Sequence, residues 1–221
     1  TVKAKANIEG AEVRASVVDI AINKVTAIVG GTQKALVQGA TISASGVTVT
    51  SNFNTDSSTS NYDATATVGS NSGANVSFIS GDTSTAKATV TAVVSAEIDG
   101  AVLDTVRDNV PGAVEVTTNA KSFAVARINV PTKVSLANVS VMHVEADAAG
   151  VFTASLKVGE GKSVVGSVSV QSIYTVYSYA RTGPAGGLNL NVASGSYNKA
   201  TAKTSVTGNA GFGSDGNLAV L

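Results

Sequence analysis

Few residues in this chain could carry out chemistry. Its 221 residues include one His, His143 in V-M-H-V-E, with no Cys and no Trp. A Ser-His-Asp triad needs an imidazole as its base and would have to be built on His143. Strand parity around His143 leaves its face open, and a surface or interface position is the expectation. Without Cys there are no disulfides and no thiolate zinc sites, and a single His leaves carboxylates as the main donors, an unusual set for zinc. Asp99, Asp104 and Asp108, with Arg107 among them, are the carboxylates grouped closely enough for glycoside hydrolysis or, with calcium, for polysaccharide lyase chemistry. Asp99, however, stands where Glu9 and Gln38 stand in two similar phrases, which marks a polar corner. Calcium nonapeptides (G-G-x-G-x-D) are absent, and Gly30-Gly31 lacks phosphate-loop spacing and reads as a turn. The sequence therefore assigns no catalytic residue, cofactor or metal site.

Contact chemistry is better represented. Three of the five tyrosines, Tyr174, Tyr177 and Tyr179, fall in I-Y-T-V-Y-S-Y-A, followed by Arg181. In a strand, Tyr177 and Tyr179 share one face and Tyr174 takes the other. Exposed Tyr beside Arg forms contact surfaces for proteins or sugars. The competing expectation is that these rings cap the end of a core.

The elements that would position these residues are strands. Val, Ile and Thr are abundant, and alternation of period 2 recurs in V-T-V-T at 47–50, V-E-V-T at 114–117, V-S-V at 139–141 and 168–170, and L-N-L-N-V at 188–192. Val102–Asp108 is the one helix candidate, and a loop bulging between strands explains it as well. Ser51–Ser60 reads as a loop or a solvated strand, and Arg181–Gly187 as a turn. Pro111 and Pro131 suit strand starts or turns. Fifteen basic residues balance fifteen acidic ones, which removes the footprint of a nucleic-acid binder. Only 14% of residues are charged while 43% are hydrophobic, a composition able to form a core. No apolar run reaches the roughly 18 residues of a membrane-spanning helix. No leader motif precedes the first repeat unit, and the chain is read as a segment of a longer protein.

One phrase recurs: A-N-I-E-G-A-E-V-R-A at 6–15, A-L-V-Q-G-A-T-I-S-A at 35–44 and A-E-I-D-G-A-V-L at 96–103. In each, a polar residue and a glycine shift the alternation by one, as a corner between strands requires. The corner glycines are Gly10, Gly39 and Gly100, with a weaker match at Gly73-Ala74-Asn75-Val76. Their spacing fits a unit of about 30 residues, stacked so that each unit covers its neighbour. The expected fold is all-β, a parallel β-helix or solenoid forming a single repetitive domain over residues 1–221. The alternative is one or two β-sandwich domains, with a subdivision near residue 110.

The pattern at 19–50, an apolar strand, an Asn turn, A-x-I-x-G-A-x-V-x-A and then G-x-V-x-V, resembles the repeats of very large bacterial surface adhesins of the filamentous-haemagglutinin-like and leukotoxin-like kind. Residues 92–126 resemble a second copy and 166–210 a looser third that lacks the corner phrase. The resemblance implies a right-handed parallel β-helix, secretion, and a role in adhesion or as a surface stalk, and it transfers no catalytic residue. The expected function is a non-catalytic extracellular segment whose partners are host or bacterial surface proteins, glycans, or copies of itself. Alternatively, the chain is a filament subunit that polymerises through its first strand, with Val2, Ala4, Ala6 and Ile8 adding to a neighbour's open edge. A polysaccharide-active enzyme is a third reading.

Overall fold

The computed structural model describes residues 1–8, 14–69, 74–130, 132–184 and 189–221. It is all-β, with no helix among the described residues. In chain order the strands are β1 Ala4–Ile8, β2 Arg14–Gln38, β3 Thr41–Ser43, β4 Val47–Phe53, β5 Ala64–Val68, β6 Ala74–Asp104, β7 Val106–Arg107, β8 Val110–Pro111, β9 Ala113–Val130, β10 Thr132–Val158, β11 Lys162–Val165, β12 Ser167–Pro184, β13 Asn189–Ser214 and β14 Asn217–Val220.

Among the described residues strand pairing is parallel except in the β7–β8 hairpin and an isolated bridge between Ser58 and Asn61. In one sheet β2, β6, β10 and β13 lie side by side in that order. In a second, β4 and β5 lie end to end along β9, β1 covers β5, and β12 follows β9. The short β3, the last residues of β6, β11 and β14 form a third row between them.

Register repeats along the chain. Lys24 pairs with Thr85, Thr85 with His143 and His143 with Lys199, each partner roughly 60 residues further on. In the second sheet Ala66 pairs with Ala126 and Ala126 with Ala180, a similar spacing. The unit is therefore about twice the length expected, because each passage includes a long strand in both sheets. Two of the three recurring phrases do stack. Gln38 pairs with Asp99, the Gly39 N–H donates to the Asp99 carbonyl at 2.9 Å, and Gly39 and Gly100 have φ of +58° and +69°. Burial passes from Ala96 and Ile98 before the corner to Ala101 and Leu103 after it, the shift in parity that a corner demands. The first phrase does not join them: Ala4–Ile8 pairs with Ala64–Val68 in the other sheet, and Gly10 and Gly73 lie outside the described residues.

The two long sheets enclose the core, which stacks like residues in columns. Ala27, Ala88 and Ala146 form one buried column, and Ala66 and Ala126 another on the facing sheet. Small side chains let the sheets approach closely, and Val90, Val94, Val144, Ile128 and Phe152 fill the remaining space. Near the corner Val49 and Val116 continue the pattern beside Ile98, Leu103 and Leu156.

Several local expectations change. Val102–Asp108 is no helix. Val102–Asp104 completes β6, and residues 106–111 form a hairpin turned by Asp108 and Asn109, both with positive φ. Arg181–Pro184 finish β12 rather than turning, and residues 185–187 and Pro131 lie outside the described residues. The stretch 51–60 is divided, its first three residues ending β4 and the rest forming a loop.

Candidate interaction surface

Strand alternation sends the odd-numbered residues of β9 and β12 outward, and register sets them beside each other: Phe123 with Tyr177, Val125 with Tyr179, Arg127 with Arg181. The Phe123 and Tyr177 rings stack with centroids 5.6 Å apart and planes at 30°. The Arg127 guanidinium lies between two rings, 5.5 Å from the centroid of Tyr179 and 5.7 Å from that of Tyr62, and donates to the Tyr62 hydroxyl at 3.4 Å. A cation over an aromatic face is attracted by the ring quadrupole, by about 0.5–1 kcal/mol at exposed sites. The half-buried rings of Tyr62, Tyr177 and Tyr179 and the Arg127 guanidinium, with Phe123 and Val125 buried among them, form a rigid, amphipathic surface at the outer face of this sheet.

Three of the four contact candidates, Tyr177, Tyr179 and Arg181, thus share one face. Tyr174 points the other way. It pairs with Ala120 and stacks on buried Phe152 at 5.3 Å and 16°, covering the end of the core. Sequence reading did not include Phe123, Arg127 and Tyr62. The only signal that could have found the first two is the step of one full unit to Tyr177 and Arg181, which the shorter unit expected from the corner phrases concealed.

The loop after β4 borders this surface and is organised by a buried carboxylate. Asp63 accepts from the Asn54 amide at 2.9 Å, from the Ser57 hydroxyl, and from the Phe123 N–H at 2.8 Å. Burial pushes the Asp63 carboxyl above its usual range, and those three donors only partly offset it. Asn54 in turn bonds the backbone of Val2, Thr1 donates to Asp56 at 2.7 Å, and Lys3 donates to Asn61. The segment Val2, Ala4, Ala6, Ile8, read as a strand for exchange, is thus seated on β5 of its own chain and held by this loop.

The enzyme candidates are tied to neighbours. Asp99 accepts from Gln38 at 3.4 Å, Asp104 pairs with Arg107 at 3.4 Å, and Asp108 occupies the hairpin turn. His143 lies on the outer face of the first sheet, its Nε2 3.9 Å from Glu145, which also receives Lys87 at 3.3 Å. Among the described residues no three His, Asp or Glu side chains gather as a metal site would require.

A second feature lies at the start of the first sheet, where the ladder skips Val17, Phe78, Leu136 and Val192 in its four strands. Val17, Phe78, Leu136 and Val192, with Val76, Val134 and Leu190, line an open apolar groove of about 740 Å³ without a titratable group.

Comparison with protein-family models, with curated proteins and with solved structures finds no match for this chain. Function therefore rests on the residues themselves.

Proposed function

We propose that the chain is a β-solenoid segment of a bacterial extracellular surface structure, non-catalytic, with a structural and adhesive role. The observation that supports this best is the column pattern. Residues one unit apart in the chain stack as Ala on Ala and Val on Val through successive layers of parallel strands. A unit that cannot cover its own apolar face is covered by its neighbours, which is the logic of a solenoid. A β-sandwich, the alternative architecture, is built from antiparallel strands, whereas these sheets are parallel.

The adhesive part rests on the outer face of the second sheet. Tyr177, Tyr179, Tyr62 and Arg127 offer rigid rings and a guanidinium at little entropic cost, with Lys121 and Arg181 adding charge nearby. Proteins and glycans of a cell surface both suit such a surface.

The test is retention of beads coated with the chain on host-cell and bacterial monolayers under flow. Retention above that of bare beads, lost in a Tyr177→Ser, Tyr179→Ser, Arg181→Ser variant with unchanged circular dichroism, supports the reading. Retention equal to that of bare beads on every surface removes the adhesive role. Turnover of polysaccharide that disappears in Asp99→Asn, Asp104→Asn or Asp108→Asn would replace it with the enzyme reading.

A further inference from the structure

The first sheet begins in a tip that is inverted relative to the rest of the chain. Its strands bend where the ladder skips Val17, Phe78, Leu136 and Val192, and the segments on either side of the bend fold onto each other. The contacts across the bend are polar. Lys133 pairs with Asp82, their side chains only 3% and 13% exposed. The Ser80 hydroxyl lies 3.3 Å from that of Ser135 and donates to the Asn138 amide oxygen at 2.7 Å. Alternation then sends apolar residues outward. Val76, Val134 and Leu190 are exposed ahead of the bend, where they line the apolar groove, and Ile20, Ile22, Val139 and Val141 are exposed after it. The outward positions, from Ala15 to Ile22 in β2 and at their partners in β6, β10 and β13, hold no Asp, Glu, Lys, Arg or His.

Charge begins immediately behind this tip. In the next outward column Lys24 and Lys199, both exposed, stand with His143 and Thr85. In β9 and β12, the strands that precede β10 and β13 in the chain, Arg127 and Arg181 pair near the strand ends, with the Tyr62 and Tyr179 rings around Arg127. We infer that the tip enters the boundary between acyl chains and headgroups of an anionic lipid bilayer. A polar interior with an apolar exterior is the order of strands in lipid rather than in water. Cations and tyrosines behind an apolar wedge match the headgroup layer that follows the acyl chains. A docked protein would cover one side of the wedge, whereas lipid covers both sides and the apex. Within the tip the backbones of β6 and β10 are paired on both edges, so entry leaves their polar groups satisfied. The inference goes beyond the adhesive reading and rests on the layered fold alone.

Co-sedimentation of the full chain with vesicles of phosphatidylcholine and phosphatidylglycerol tests it. Wild type is expected to bind, and to bind about tenfold more weakly to phosphatidylcholine alone. Ile20→Ser, Phe78→Ser and Leu136→Ser together, at positions already exposed, should leave the circular dichroism unchanged and lower vesicle affinity by about tenfold or more. Lys24→Glu with Lys199→Glu should lower affinity about tenfold on the anionic vesicles only. The chain has no native cysteine, so a fluorophore on Val192→Cys reads insertion with the rest of the tip intact. It should be quenched by lipids brominated in the acyl chain, and one on Thr26→Cys should not. Absence of vesicle binding, binding indifferent to the triple change, or an unquenched label at position 192 would each overturn the proposal. Oligomers that the triple change disperses, without vesicle binding, would assign the tip to a second copy of this chain and overturn it as well. These vesicles carry no protein or glycan, so neither result bears on the bead-retention test.

Discussion

The side-chain amide of Asn54 bonds both backbone groups of Val2, accepting from its N–H at 2.7 Å and donating to its carbonyl at 2.9 Å. Asn54 thereby extends the ladder of β1 to a residue ahead of that strand, and it adopts a φ of +46° to do so. Because this amide meets Val2 through backbone atoms alone, it holds an extended segment whatever that segment's side chains, and it also donates to the Asp63 carboxylate at 2.9 Å.

Replacing Asn54 with Gly keeps the left-handed conformation free of strain and removes only the amide. The expected outcome is loss of about 1–2 kcal/mol locally, with faster amide exchange over residues 2–8 and little change in the β6 interior. Hydrogen exchange with mass spectrometry reads both regions in one experiment.

Asp63 makes stability depend on pH in a direction opposite to most carboxylates. Its folded pKa is raised above the unfolded value of 3.8, chiefly by burial. The folded state therefore binds this proton more tightly than the unfolded chain. The associated stability is fully present below pH 3.8 and is lost as pH rises through the folded pKa. Asp63→Asn should flatten this part of the pH profile. At neutral pH it should also cost about 1–3 kcal/mol, since an amide cannot accept on both sides. Urea unfolding between about pH 4 and 7 measures slope and offset together.

The corner glycines should separate into two classes. A Cβ on Gly39 meets nothing within 4 Å, so Gly39→Ala carries only the strain of a positive φ, about 1 kcal/mol. A Cβ on Gly159 would lie 2.2 Å from the carbonyl oxygen of Gly100, in backbone that cannot step aside. Gly159→Ala should destabilise by about 3 kcal/mol or more and displace the stacked corner. Thermal melts of the two variants provide the comparison.

Aromatic packing on the outer face should contribute little to folding. Tyr177→Ser removes a stacked partner from Phe123 at the last layer of the second sheet, where one side already meets solvent. A loss of about 1 kcal/mol is expected in urea unfolding. A much larger loss would reassign the surface to the core.

How far the sequence disclosed this arrangement varies with the element. Strand alternation at 47–50, 114–117 and 168–170 was visible, and the three runs do stack, Val47 on Val114 on Val168. The corners at Gly39 and Gly100 were visible because glycine at positive φ accompanies a shift in parity. The unit length was not. Spacing between Gly10 and Gly39 suggested a unit half as long, but a phrase of small residues recurs in both sheets, and local alternation does not tell which sheet a strand joins. The third corner escaped for a related reason: Gly159 and Gly161 perform the turn there in a different phrase, V-G-E-G. The aromatic surface was half legible, because Tyr177 and Tyr179 are close in sequence whereas Phe123, Arg127 and Tyr62 arrive only through the register. Asp63 carried no signal in the sequence, since burial of a carboxylate is decided by the loop that folds over it.

Strands roughly 60 residues apart in the chain lie side by side in parallel. Thr26, Lys87, Glu145 and Thr201 occupy one outward column, so Thr26 and Thr201, far apart in sequence, are separated by only three inter-strand steps. With neighbouring strands about 4.8 Å apart, their backbones lie roughly 15 Å from each other. The chain has no native cysteine, so nitroxide labels can be placed at Thr26→Cys and Thr201→Cys alone. Electron paramagnetic resonance on labelled chains diluted in unlabelled ones should give a narrow separation of about 15–25 Å, allowing for the label arms. A separation beyond roughly 40 Å, or a distribution with no short component, would contradict the stacked arrangement.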